Sequence, residues 1–446
     1  MSGKAFVCRL QNITPIEGAD NIVQATMFGE TIITTKSNVE GTLGLLFDCD
    51  TQLSHEYCSN NNLYRHPELN VNKEEKGYFD DNGRVRPIKL KGVKCSAMFI
   101  PVDSLLFTKG STDFTEHTEF DEWNGIAICN KYVSKATVNI QGQGKAVKKN
   151  LVPTFKEHID TEQLMKNLHQ VSKGSLVTIT EKLHGTSGRC GNLLVEKEVN
   201  KWERLFYNYI LSPILYQDIG QLKSFHSYEF VVGSRRVVKS IGETVHTESG
   251  FYNTDIWSLS AQEHFEDKLY KGETVYYEIV GFLPNGQEIM SSQSNDKLKP
   301  FMEKGEFKTF TKKYGDTTRF DYGCKPGQYD VYVYRITMTN EDGEDIDYTW
   351  EQVKQRCERL GVKTVPELGI VYIKEDIHQE DKEMSFNVYL EQESQLFPNS
   401  VKEGICVRVD GGGMNPKIFK QKSFIFKVLE GIIKDKEVVD IEESQN

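Results

Sequence analysis

Apolar and polar residues alternate in short runs over residues 1 to about 120. FVCRLQNITPI, NIVQATMFG, ETIITTK, LGLLFDCD, RVRPIKLKGV and SAMFIPVDSLLF each show a period of two or a β-rich run, which predicts strands. Asp80-Asp81-Asn82-Gly83 is a hairpin signal ahead of one of them. Five or six short strands around an excursion at 51–79 predict a small β-barrel. Residues 121–150 are poor in large apolar side chains after Tyr132 and rich in Gly, Gln and Lys, which predicts a linker. After Pro153 a helix is expected, capped by Asp160 or Thr161 and carrying Leu164, Met165 and Leu168. SLVTIT (175–180) then reads as a strand running into Lys182. The stretch 201–225 has Leu205, Tyr209 and Ile210 at helical spacing, with an interruption at Pro213.

Further strands are predicted in YEFVVGSRRVVK, TVYYEIVGF, YDVYVYRITM, KEGICVRVD and PKIFKQKSFIF, and WEQVKQRCERLGVKTVPEL reads as a helix followed by a strand. The expected class is α+β: a barrel over 1–120, a linker over 121–150, a second domain of antiparallel sheets flanked by helices over 151–430, and an acidic tail over 431–446. A chain of 446 residues is long for one core, which agrees with two domains.

No apolar run approaches the roughly 20 residues needed to cross a bilayer, and MSGKAFVCRLQNITP lacks the apolar centre of a signal peptide. The nine cysteines are scattered with no Cys-x-x-Cys pair, which points to a reducing compartment, hence the cytoplasm, and away from structural zinc. Net charge is -11. That speaks against a non-specific polyanion binder, but phosphate contacts depend on where the positive groups lie. Basic strips occur at 84–94, 145–149 and 417–427.

Lys182 sits in EKLHGTSGRCGN. A strand that delivers an amine into a glycine-punctuated turn lets a phosphate approach closely, because no side chain stands in the way. Glu278 is a lone carboxylate within TVYYEIVGF, costly unless it is paired or metal-bound. Arg235, with Arg236 beside it, offers a planar fork suited to phosphate oxygens. Tyr332 and Tyr334 fall on one face of their strand by alternation, as do Lys420 and Lys422 on theirs.

The order of these segments (Lys-x-His-Gly, Ser-Arg, Glu followed by an apolar pair and Gly, an aromatic strand, Glu-Gly-apolar, and Lys-x-Lys) resembles the covalent lysyl-nucleotidyltransferases. The closest likeness is to the ATP-dependent RNA ligases whose OB-like domain precedes the catalytic one. The resemblance implies that Lys182 is the nucleophile toward ATP, with Lys420 and Lys422 neutralising the phosphate. Glu181, His184, Gly185, Arg235, Glu278, Tyr334 and Glu403 would contact the nucleotide, Tyr334 by stacking on the base. Glu403 and Glu278 would help hold Mg2+ or Mn2+. Relatives with this domain order usually carry aspartate where His184 stands. Purine selectivity would come from the backbone around Glu181 or an amide of Gln163 or Asn167. The substrate implied is RNA with 5′-phosphate and 3′-hydroxyl ends, with no membrane and no required protein partner. Arg84, Arg86 and Lys89 on the basic hairpin are the expected RNA contacts, and removal of 1–120 is expected to spare self-adenylylation. A capping enzyme or DNA ligase needs an OB domain after the catalytic one. A non-catalytic RNA-binding protein is the remaining alternative.

Overall fold

In the strands around Lys182 most odd positions are apolar and most even ones polar, and this split builds the fold. Val177, Ile179, Ile405, Val407, Val409 and Phe419 are all buried in one cluster. Lys182, Thr180, Thr178, Cys406 and Arg408 occupy the intervening positions. The protein is described by a computed structural model, which covers residues 3–49, 51–133, 152–159, 161–198, 224–245, 254–390, 392–398, 400–411 and 415–435. The 201–223 part of the expected amphipathic insert, the basic run 145–149 and the acidic tail after 435 lie outside the described residues.

The lysine strand (Leu176–Lys182) is central in a five-stranded sheet, between Glu367–Tyr372 and the Glu-Gly strand (Gly404–Asp410). The Lys-x-Lys strand (Lys417–Lys422) follows on the far side. Register sets Lys182 opposite Gly404 and Gly404 opposite Lys422, with Cys406 between Thr180 and Lys420. A second, eight-stranded sheet holds Thr186–Glu198, Ser224–Ser234, the glutamate strand (Glu273–Gly281) and the tyrosine strand (Tyr329–Thr339). One face of it buries Cys190, Val275, Tyr277, Ile279 and Val333 against the helices Ile256–Phe265 and Trp350–Leu360.

The N-terminal strands form as expected, but in separate sheets. Glu119–Phe120, Ala5–Arg9, Leu43–Asp48 and Ala97–Pro101 make one, and Ile13–Pro15, Ile22–Met27 and Glu30–Thr35 another. No closed barrel is present among the described residues. The front of the expected linker is part of this unit: Cys129–Lys131 pairs with Thr51–Leu53, because Ile128 and Cys129 are buried with Ala5, Val7 and Phe47. The helix expected near Leu164 is replaced. Glu162–Gln163 pairs in parallel with Phe419–Lys420, and Met165–Gln170 forms only a 3-10 turn. Edge pairing with the Lys-x-Lys strand, extended by the Leu164 N–H donating to the Lys420 carbonyl at 2.9 Å, takes the backbone bonds a longer helix would use.

The N-terminal unit shares a core with the residues that follow it. Phe6, Cys8, Leu10, Met27 and Leu46 share one core with Leu164, Val177, Ile405 and Phe419. Buried ion pairs cross the same boundary: Lys166 with Asp48 at 2.7 Å, and Lys427 with Glu30. The expected RNA-contact hairpin is also turned inward. Arg84 is buried, lies over the Tyr132 ring and donates to the Gly431 carbonyl at 3.3 Å. Arg86 pairs with Asp80 at 3.2 Å, and Lys89 and Lys94 reach Glu303 and Glu306 at 2.5 and 2.7 Å. A charge strip read along the chain cannot show carboxylates more than 200 residues away.

Candidate active site

The amine of Lys182 lies 2.7 Å from Glu403 Oε1. Burial is the largest single influence and depresses its pKa, but Glu403, Cys406 and Glu278 together outweigh it and raise it, so the resting amine is an ammonium. Glu403 itself is 2% exposed, and its Oε2 has no hydrogen-bond partner, with His184 Nδ1 3.7 Å away. Across the sheet, Lys422 pairs with Glu430 at 2.5 Å. Lys420 has no ion pair among the described residues. Burial together with the positive charges of Lys182, Lys422 and Arg235 lowers its pKa to about 8. Three lysines and Arg235 therefore converge on one small region where Glu403 and Glu430 answer Lys182 and Lys422 but no carboxylate pairs with Lys420 among the described residues, a concentration of positive charge that suits a phosphate.

His184 is fixed by its surroundings. Its N–H donates to the Tyr322 hydroxyl at 2.7 Å, and its ring meets Phe320 and Phe426 edge-on at 4.6 and 4.8 Å. Burial lowers its pKa and keeps it neutral, so it brings no anionic charge to the place aspartate usually fills. Gly185 donates to Glu278 Oε1 at 3.0 Å, and the Ser187 hydroxyl donates to Oε2 at 3.0 Å. A Cβ on Gly185 would lie 2.3 Å from the Ile279 carbonyl oxygen, so the glycine is required by close strand packing as well as by any ligand. Glu278 thereby locks the turn after Lys182.

Tyr334 and Tyr276 line the other wall, and between them stands His158, with ring centroids 5.0 and 5.8 Å away. Burial, then the charges of Arg335, Arg235, Lys420 and Lys182, hold the His158 pKa well below its usual value. Its Nδ1 is buried without a partner. Arg189 lies beneath, donating to the Phe155 and Ser234 carbonyls at 2.8 and 3.1 Å. Arg335 grips Asp347 through two bonds of 2.6 and 2.8 Å. His158, Cys406, Arg189 and Arg335 belong to this site without any local signal in the sequence. Tyr276 alone was legible, two residues before Glu278 on the same strand face.

Glu181 is the clearest departure among the expected nucleotide contacts. It sits one position off Lys182, so alternation turns its side chain to the opposite face, where Oε2 accepts from the Gln395 N–H at 2.8 Å. Burial raises its pKa. Gln163 donates to Glu30 at 3.3 Å and Asn167 to the Gln163 carbonyl at 2.9 Å, so both amides are engaged within the protein.

The residues fit a divalent cation that keeps much of its water. No group of three or more His, Cys, Asp or Glu able to hold a metal exists among the described residues. Three buried carboxylate oxygens lack a partner among the described residues, and one of them, Glu403 Oε2, belongs to the carboxylate beside Lys182. Magnesium takes only one or two carboxylates alongside phosphate and water, which suits a single free oxygen. Both oxygens of Glu278 already accept bonds from the turn, so Glu278 is better placed to orient the lysine loop than to ligate.

Comparison with solved structures shows the same fold in an RNA ligase of Naegleria gruberi. A mutant with ATP and Mn matches at TM-score 0.56 and 16% identity, covering 95% of this chain and 98% of that one. A second mutant, with AMP and Mn, matches at 0.55 and 14%, covering 95% and 97%. The form with PPi matches at 0.54 and 17%, covering 96% and 98%. No curated protein matches by sequence. The family model described as RNA ligase matches residues 175–429. That span is more than half of the 446 residues and takes in the lysine, glutamate, tyrosine, Glu-Gly and Lys-x-Lys strands, so the chain belongs to the RNA ligase family.

Proposed function

We propose that this RNA ligase is ATP-dependent and joins 5′-phosphate to 3′-hydroxyl ends through lysyl-AMP and adenylylated RNA. The observation that carries the reading is the Lys182 amine, presented at its strand end against Glu403 and facing the uncompensated Lys420. The Lys182 nitrogen attacks the α-phosphorus of ATP, the bond to the bridging oxygen breaks, and pyrophosphate leaves. The amine must first lose a proton, and Glu403 Oε1 at 2.7 Å is positioned to accept it. Lys420 and Lys422 offset the charge that builds on the transferring phosphate. A magnesium or manganese ion beside Glu403 Oε2 would supply further positive charge there. The AMP then passes to the RNA 5′-phosphate, and the 3′-hydroxyl displaces it to seal the strand. The ATP, AMP, PPi and Mn found with the Naegleria gruberi ligase support this choice of nucleotide and metal.

The N-terminal sheets, short antiparallel strands around the core of Val7, Leu45, Phe47 and Ile100, support reading that unit as OB-like and open rather than closed. Nine free cysteines support a reducing cytoplasm. The test is incubation with α-labelled ATP and Mg2+ without RNA. A covalent label is expected on the wild type and none on Lys182→Ala, while that variant still seals pre-adenylated RNA in part, since sealing needs no lysine nucleophile. A wild-type protein that takes no label rejects the reading.

A further inference from the structure

With the basic hairpin neutralised, the positive surface lies elsewhere. The helix Lys304–Tyr314 presents Lys304, Lys308 and Lys312 at successive four-residue steps, all exposed and about 6 Å apart along the axis. None of the three forms an ion pair among the described residues. Three of the carboxylates nearby in sequence are occupied: Glu303 by Lys89, Glu306 by Lys94, Asp296 by Lys299. The contacts that disable the hairpin thus remove the negative charge that would otherwise offset these lysines.

Helix stability favours Lys312, in the last turn, but does not account for the start of the stripe. Lys304 occupies the first helical position, where the helix dipole disfavours a cation. The helix also borders the reaction centre. Its Phe310 is buried with Val401, Val428 and Leu429, and Val401 lies two residues before Glu403. Further along the same wall Phe320 touches the His184 ring at 4.6 Å.

We infer that Lys304, Lys308 and Lys312 form a track for the phosphodiester backbone of the RNA whose end is being joined. This rests on the proposed ligase function. Lysines at this spacing act as point charges on successive phosphates and read no base, as end joining at arbitrary sequence requires. The test uses the full chain with Lys304, Lys308 and Lys312 all changed to alanine, exposed sites where folding is not at stake. Binding of a 5′-phosphorylated single-stranded RNA is measured across 50 to 200 mM salt, with self-adenylylation measured in parallel. Affinity is expected to fall roughly ten- to hundred-fold at the low-salt end. The slope of log affinity against log salt should shrink by roughly 2, at roughly 0.7 per phosphate contact. Lysine-to-arginine changes at the same three sites should restore both. Unchanged affinity and slope in a variant that still takes the AMP label would overturn the track. Loss of the label in the wild type would instead sink the ligase reading and is scored separately.

Discussion

Lys182 and Lys420 share one sheet face yet titrate in opposite directions. Glu403 raises the first, while burial among cations lowers the second to about 8. At pH 8 about half of Lys420 is therefore neutral in the nucleotide-free protein, whereas Lys182 stays protonated. A limiting amine-acylating reagent at pH 8 is expected to modify Lys420 well ahead of Lys182, with both rates falling but the preference persisting toward pH 6.5, and fading only at strongly alkaline pH as Lys182 also loses its proton. Peptide mass spectrometry reads this directly, and equal rates would show that the two lysines share one environment. The sign for stability follows. An unfolded lysine binds more protons than Lys420 between about pH 8 and 10.4, so this residue makes stability rise with pH in that window. For Tyr334, a stacking role predicts that Tyr334→Ala slows lysyl-AMP formation roughly 5- to 150-fold, from about 1–3 kcal/mol of lost base stacking, while Tyr334→Phe changes little. Normal labelling by the alanine variant would assign the ring to packing with His158 alone.

Between strands, Gly404 carries more than its place in a Glu-Gly motif suggests. A Cβ there would stand 2.0 Å from the Gln421 carbonyl oxygen and 2.9 Å from Lys422 Cα, both backbone atoms that cannot swing aside. Gly404→Ala should therefore force the Glu-Gly and Lys-x-Lys strands apart at the point where Glu403 and Lys422 are aligned. The expected result is a folded protein by circular dichroism that forms little or no AMP adduct. Full labelling would show that the pair tolerates separation. The helix Trp350–Leu360 shows a local device instead. Thr349 accepts from the Gln352 N–H at 3.3 Å, and Gln352 answers by accepting from the Thr349 N–H at 2.8 Å. Thr349→Ala should cost about 1 kcal/mol in denaturant titration without touching chemistry.

For the molecule as a whole, the shared core argues for one cooperative structure. Glu30 is fully buried and holds Lys427 and the Ser96 hydroxyl, linking the N-terminal unit to the helix that follows the Lys-x-Lys strand. Removing its charge strands a buried ammonium, so Glu30→Ala is expected to cost about 3–5 kcal/mol and to weaken both halves together. Deletion of 1–120 would expose Val177, Ile179, Ile405, Val407 and Phe419 to water. The truncated protein is expected to aggregate rather than self-adenylylate, contrary to the expectation of a separable domain. A soluble, label-forming truncation would show that the catalytic core closes by itself.

Alternation along each strand is a local property, and it settled much of the chemistry in advance. It put Lys420 and Lys422 on one face and made Lys182 the last residue of its strand; applied one position earlier, it would also have turned Glu181 away. The order of the motifs likewise pointed to the family that the match over 175–429 then showed. Tertiary structure alone decided which charges remain available. Lys89 is spent on Glu303, 214 residues away, while Lys304 beside it is left bare. It also brought His158 against Tyr334 from a segment whose own pattern suggested only a helix cap. The reason is physical. Side-chain direction depends on backbone period and is written into neighbours, whereas the field at a charge depends on every group within several ångströms, whatever its place in the chain.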